Sequence, residues 1–173
     1  MKKAKQIPNP EKRVLYFAYG SNLSSKRIRA RLGKTINLGT YRLQGYRLLF
    51  DCGTRETSFA NIIEDLNSYV EGVIYEMDYW QLKELDWYEG LYHREKIDLR
   101  EGILMGRKLH FYISYLRRAD FYRPLTQSYF SALITGAREN NLQELELKLS
   151  AIEDLHVVPD PVIPRNLNYF FNW

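Results

Sequence analysis

The sequence predicts an α+β domain. Short, β-rich apolar runs outnumber the helical stretches, and the two kinds do not alternate as a parallel α/β sheet requires. No internal repeat or low-complexity tract suggests a solenoid or a fibrous chain. With 173 residues, 45% hydrophobic and 27% charged, the chain suits one domain, 1–173, with a core of its own.

Taken in order, residues 1–13 form a basic lead in which Pro8 and Pro10 break regular structure. Val14–Tyr19 is apolar and β-rich, the pattern of a central strand. Gly20–Leu23 is a turn. Ser24–Leu32 reads as a helix, with Asn22 or Ser24 available to cap its first amides. Asn37–Leu43 and Tyr46–Asp51 read as two strands joined near Gln44-Gly45, followed by a polar loop, Cys52–Ser58. Phe59–Ile63 and Tyr69–Met77 are strands separated by a turn over Glu64–Ser68. Tyr79–Glu89 is helical and stops at Gly90, a suitable C-terminal cap. Tyr92–Arg100 and Lys108–Leu116 are strands around a Gly102–Gly106 turn. Thr126–Asn140 and Leu142–Ile152 are helices. Residues 154–173 are a Pro-rich, aromatic tail in which Tyr169–Trp173 can dock.

Composition narrows the function. No apolar run has membrane-spanning length, and the lead lacks the apolar stretch of a secretory signal. A single cysteine, Cys52, rules out an internal disulfide framework. The expected compartment is the cytoplasm. The basic cluster Lys26, Arg27, Arg29, Arg31 and Lys34 is either a nucleic-acid patch or a solvated helix face, and the second reading is preferred. His93, His110 and His156 lack metal-ligand spacing, Cys52 lacks a nucleophile motif, and Ser21 is not in a Gly-x-Ser-x-Gly elbow.

Two pieces carry chemistry. In YFAYGSNL, residues 16–23, the amides of Gly20, Ser21 and Asn22 either form an ordinary strand-to-helix turn or converge on an anion, with the following helix behind them. In LKELDWYEGLYHRE, residues 82–95, Leu82, Leu85 and Glu89 share one helical face. Glu89 either faces the core near the negative end of the helix dipole, which raises its proton affinity, or reaches water from a frayed end.

The two segments together resemble the gamma-glutamylcyclotransferase family, also called AIG2-like. ISYLRRADFYRPLTQSYFSALITGARENNL, residues 113–142, and Ala151-Ile152-Glu153 extend the resemblance over residues 14–153. The resemblance implies a small mixed, largely antiparallel β-barrel with surrounding helices. It implies an enzyme that cyclises a gamma-glutamyl amino acid or amine to 5-oxoproline and releases the free amine, with no cofactor and no metal. It implies that Tyr16, Phe17, Ala18, Tyr19, Gly20, Ser21 and Asn22 line the substrate pocket and that Glu89 is the general base and acid. Tyr92 and Tyr115 match pocket tyrosines, and Arg117 stands at a neighbouring variable position. The expected partner is a small gamma-glutamyl molecule, with a homodimer as an option and neither nucleic acid nor membrane involved.

On this reading the substrate's own α-amine attacks the γ-carbonyl, and ring closure is intramolecular. The shorter spacer before Tyr92 and the divergent tail leave substrate choice open, and Asn22 argues against the glutathione-specific branch. A non-catalytic binding protein of the same fold is the alternative.

Overall fold

The computed structural model describes residues 13–53, 57–90, 92–100, 102–114 and 124–161. Residues 1–12 of the lead, residues 162–173 of the tail, Tyr115 and Arg117 lie outside the described residues, while Arg13, the last residue of the lead, opens the first strand. The α+β expectation holds: among the described residues a five-stranded sheet, in the order β2 (Ile36–Gly53), β3 (Ser58–Asp78), β1 (Arg13–Ala18), β5 (Lys108–Ile113), β4 (His93–Asp98), is flanked by four helices.

The central strand is β1 (Arg13–Ala18), whose Leu15, Tyr16, Phe17 and Ala18 are all buried. Such a strand reads as a continuous apolar run because both its faces are covered. It pairs antiparallel with β3 (Ser58–Asp78), Tyr16 opposite Tyr75, and parallel with β5 (Lys108–Ile113). Gly72 of β3 permits this close approach: a Cβ there would lie 2.3 Å from the Ala18 carbonyl oxygen and 2.5 Å from the Phe17 ring.

The separate strands expected over 37–51 and 59–77 are one long hairpin, β2 (Ile36–Gly53) with β3. The expected breaks are absorbed as bulges. Between the pairs Gln44/Tyr69 and Tyr46/Glu64, Gly45 adopts φ 81° opposite residues 65–68. That excursion is stitched by Asp65, which accepts hydrogen bonds from the Asn67 amide and the Ser68 hydroxyl. An unpaired insertion increases local twist, so a bulged hairpin curls.

The curl carries the far half of the hairpin over the sheet. Tyr46 of β2 meets Phe111 of β5 edge-on at 5.4 Å, although two strands separate them in the sheet. Asn61 of β3 donates to the Ser114 carbonyl at 3.1 Å and accepts from its amide at 2.9 Å, reproducing a backbone pairing with a side chain. The ladder does not close: β2 and β4 (His93–Asp98) remain outer strands among the described residues, so the expected barrel is a curled open sheet. The β4–β5 turn contains Gly102 and Gly106 at φ 75° and 82°.

Helix α1 (Ser25–Leu32) is capped by Ser24, whose hydroxyl accepts the Arg27 amide. Helix α2 (Tyr79–Tyr88) buries Leu82 and Leu85. Its Gln81 accepts from the Asp78 amide and donates to the Leu32 and Lys34 carbonyls, which ties the end of α1 to the start of α2. Helix α3 (Gln127–Glu139) is followed by α4 (Gln143–His156). Two short strands, β6 (Leu125–Thr126) and β7 (Val157–Val158), pair in parallel, so part of the irregular tail is ordered.

Candidate active site

β1 ends at Ala18, and the chain passes through Tyr19 and Gly20 into a 3₁₀ turn, Ser21–Leu23. The turn closes by bonds from the Leu23 amide to the Gly20 carbonyl and from the Ser24 amide to the Ser21 carbonyl. A 3₁₀ start leaves its leading amides, here those of Ser21 and Asn22, without an acceptor inside the turn. Gly20 is not in the left-handed region; its φ is −107°. It contributes space instead, since a Cβ there would meet the Tyr129 hydroxyl at 3.5 Å and the Ala60 Cβ at 3.6 Å. The Ser25 amide at the start of α1 is answered by Glu139 at 2.8 Å, so the helix dipole meets a protein carboxylate there.

The turn is pressed into place by α3. Gly136 lies against it, and a Cβ at that position would come within 2.6 Å of the Leu23 carbonyl carbon and the Ser24 nitrogen. The Leu23 carbonyl accepts from Asn140 and Tyr75.

Glu89 follows the last turn of α2. Its amide donates to the Leu85 carbonyl at 3.0 Å, and its carbonyl accepts from the Tyr92 amide at 2.8 Å, so the frayed-end alternative does not apply. The side chain keeps 17% of its exposure. Oε1 accepts from Asn22 Nδ2 at 3.0 Å and from Arg31 Nη1 at 3.2 Å. Arg31 Nη1 also donates to Asn22 Oδ1 at 2.9 Å, and Asn22 Nδ2 to the Tyr16 hydroxyl at 3.0 Å. Burial pushes the Glu89 carboxyl above its ordinary value, while Arg31 and Asn22 pull it back only in part. Burial, reinforced by Glu89, drives the Tyr16 phenol far above its usual range, so it stays protonated. No bond to Oε2 is recorded among the described residues, which leaves that oxygen for a ligand.

These groups line a cavity of about 380 Å³. Of the expected pocket residues, Tyr16, Tyr19, Gly20, Ser21, Asn22, Glu89 and Tyr92 face it. Phe17 and Ala18 are absent from its lining: Phe17 packs edge-on against Tyr41, and Ala18 is enclosed in the core opposite Val73. Tyr19 donates to the Tyr112 carbonyl at 2.6 Å. The Ala60 backbone is held by two phenols, its amide donating to Tyr129 at 2.9 Å and its carbonyl accepting from Tyr92 at 2.7 Å.

Sequence reasoning missed Arg27, Arg31, Ala60, Tyr88, Tyr112 and Tyr129, which also line the cavity. Lys26, Arg29 and Lys34 are exposed as the solvated-face reading expects, but Arg27 and Arg31 turn inward. The i,i+4 spacing of the two arginines, adjacent to buried Ile28 and Leu32, was the available signal. The Arg31 guanidinium lies 5.0 Å from the Tyr88 ring centroid, and that of Arg27 lies 5.9 Å from Tyr129. Among the described residues no group of three His, Cys, Asp or Glu side chains is arranged to hold a metal, and no helix is long and apolar enough to cross a membrane.

The family described as gamma-glutamyl cyclotransferase, AIG2-like, matches residues 16–129. The human gamma-glutamylcyclotransferase is 32% identical over 159 residues, covering 86% of this chain and 84% of its own. The bovine protein of the same name is 30% identical over 80% of this chain and 78% of its own. Among solved structures, an uncharacterised human protein superposes with a TM-score of 0.70 at 26% identity, covering 89% of this chain and 93% of the other. A structure named gamma-glutamyl cyclotransferase shares the fold with a TM-score of 0.71 at 24% identity, covering 91% and 96%. The chain therefore belongs to the gamma-glutamylcyclotransferase, AIG2-like family.

Proposed function

We propose that this protein is a gamma-glutamylcyclotransferase that closes a gamma-glutamyl amino acid or amine to 5-oxoproline, with Glu89 carrying the protons. The observation that carries the reading is Glu89 itself: one oxygen is anchored by Asn22 and Arg31, the other is left for a ligand, and both stand beside the amides of the 3₁₀ turn.

The chemistry follows from these groups. The substrate arrives with its α-amine mostly protonated, since such an amine has a reference pKa of about 8. Glu89 Oε2 takes one proton, and the freed nitrogen attacks the γ-carbonyl carbon. A carbon–nitrogen bond forms, closing a five-membered ring. The charge that grows on the carbonyl oxygen is met by the Ser21 and Asn22 amides. Glu89 gives that first proton to the departing nitrogen as the old amide bond breaks, then takes the surplus proton still on the ring nitrogen and passes it to the released amine. Two protons leave the α-ammonium in all, and the released amine ends as an ammonium. A carboxyl with raised proton affinity suits both directions of transfer. Folding the substrate into the cavity makes the attack unimolecular, which supplies a large share of the rate.

The test is 5-oxoproline release from a panel of gamma-glutamyl amino acids and amines. Turnover by the wild type and a loss of about 10²–10⁴-fold in Glu89→Gln, with the fold retained, are expected. Full activity in Glu89→Gln removes Glu89 from the mechanism. Binding without turnover by the wild type turns the assignment to a non-catalytic pocket.

A further inference from the structure

We propose that Arg27 selects the leaving group, its guanidinium binding a carboxylate carried by the released amino acid. This inference rests on the cyclisation reading above. Among the described residues three charged side chains line the cavity: Arg27, Arg31 and Glu89. Arg31 and Glu89 answer one another at 3.2 Å. Arg27 is the charge left over. Among the described residues no ion pair to its guanidinium is recorded, and its recorded hydrogen bond is made by its backbone amide to Ser24. Its guanidinium lies over the Tyr129 ring and is acted on by Arg31, a like charge one helical turn further on, and more weakly by the carboxylates of Glu89 and Asp160.

A guanidinium so placed has given up part of its hydration without an anion in direct contact. A ligand that brings a carboxylate supplies the missing charge, in the planar forked geometry that arginine favours. A gamma-glutamyl amino acid has two. Its glutamyl α-carboxylate is attached to the same carbon as the attacking amine, so it lies on the Glu89 side of the cavity, where Arg31 stands. The other carboxylate belongs to the leaving group, across the scissile bond. Arg27 and Arg31 are i,i+4 neighbours on one face of α1, with side chains rooted about 5–6 Å apart. The pair thus offers one cation to each end of the substrate. The charge balance of the described wall agrees: two cations against one carboxylate suit a substrate with two carboxylates and one ammonium. A gamma-glutamyl alkylamine lacks that match, and a gamma-glutamyl diamine brings a repelled cation.

Gamma-glutamyl-alanine and gamma-glutamyl-ethylamine differ only in the leaving group's carboxylate, and this pair is the probe. The wild type is expected to favour gamma-glutamyl-alanine in kcat/KM. Arg27→Gln should lower that value by about 10- to 100-fold, the size expected for losing one hydrogen-bonded charge, with a much smaller loss on the ethylamide. Arg27→Lys should restore part of the preference. Equal losses on both compounds, or an unchanged ratio, overturn the proposal. Binding is read separately by calorimetry, with both compounds titrated into Glu89→Gln and into Glu89→Gln combined with Arg27→Gln. A carboxylate preference that vanishes with Arg27 supports the assignment whether or not the wild type turns over either compound; a preference indifferent to Arg27, or none in Glu89→Gln, rejects it. Absence of 5-oxoproline from both compounds with the wild type counts against the cyclisation reading alone.

Discussion

Glu89 holds its proton more tightly than an ordinary carboxyl, because burial outweighs the pull of Arg31 and Asn22. The kcat/KM profile should therefore fall on the acid side through an apparent pKa above the ordinary 4.5, and on the alkaline side as the substrate amine loses its proton near about 8. An acid limb at or below the ordinary value, or one that survives in Glu89→Gln, contradicts this. Stability follows by linkage. A carboxyl whose folded pKa lies above its unfolded one contributes stability that is fully present below the unfolded value and is lost as pH rises through the folded value. Relative to Glu89→Gln, the wild type should lose ground in urea unfolding as pH rises from about 4 to about 7. The face on which Glu89 lies was legible from its spacing with Leu82 and Leu85. The network around it was not. Asn22 sits where a helix cap belongs, and Arg31 sits in a charge run, so each has a local explanation that hides a partner 67 or 58 residues away.

At the scale of elements, the site depends on α1, α2 and α3 gripping one short turn. Gln81 joins α1 to α2, and this junction keeps Arg31 within reach of Glu89. Gly136 brings α3 onto the turn. In an exposed helix, alanine in place of glycine gains about 1 kcal/mol. Here a Cβ within 2.6 Å of backbone atoms reverses the sign, because backbone cannot rotate away. Gly136→Ala is expected to cost about 1–3 kcal/mol in chemical denaturation and to lower kcat as the turn shifts. A stabilised, fully active variant would show that the turn is not set by this contact. The helices were readable to within a few residues from periodicity and caps. β6 and β7 were not, since two-residue strands carry no period and exist only because the chain ends of α3 and α4 meet.

Across the whole molecule, the decisive feature is the curled hairpin. The resemblance anticipated a barrel, and the sheet curls toward one without closing. The reason is not local: the bulge glycine Gly45 reads as a turn, and only the pairing with β3 shows that the strand continues through it. Asn61 secures the curl by its two bonds to Ser114. Asn61→Leu should cost about 2–4 kcal/mol, as two buried bonds are lost together, and should raise KM as the cavity loosens. An unchanged midpoint and KM would mean that the ring contact of Tyr46 with Phe111 suffices. The curl also delivers Ala60 to the cavity wall, where Tyr129 and Tyr92 occupy its backbone amide and carbonyl. Backbone groups already bonded within the protein have little to offer solvent, so this part of the wall holds water weakly. The consequence is one of product identity: water is the rival nucleophile, and excluding it favours the lactam over free glutamate. Tyr92→Phe, which uncovers the Ala60 carbonyl, should raise the proportion of glutamate among the products.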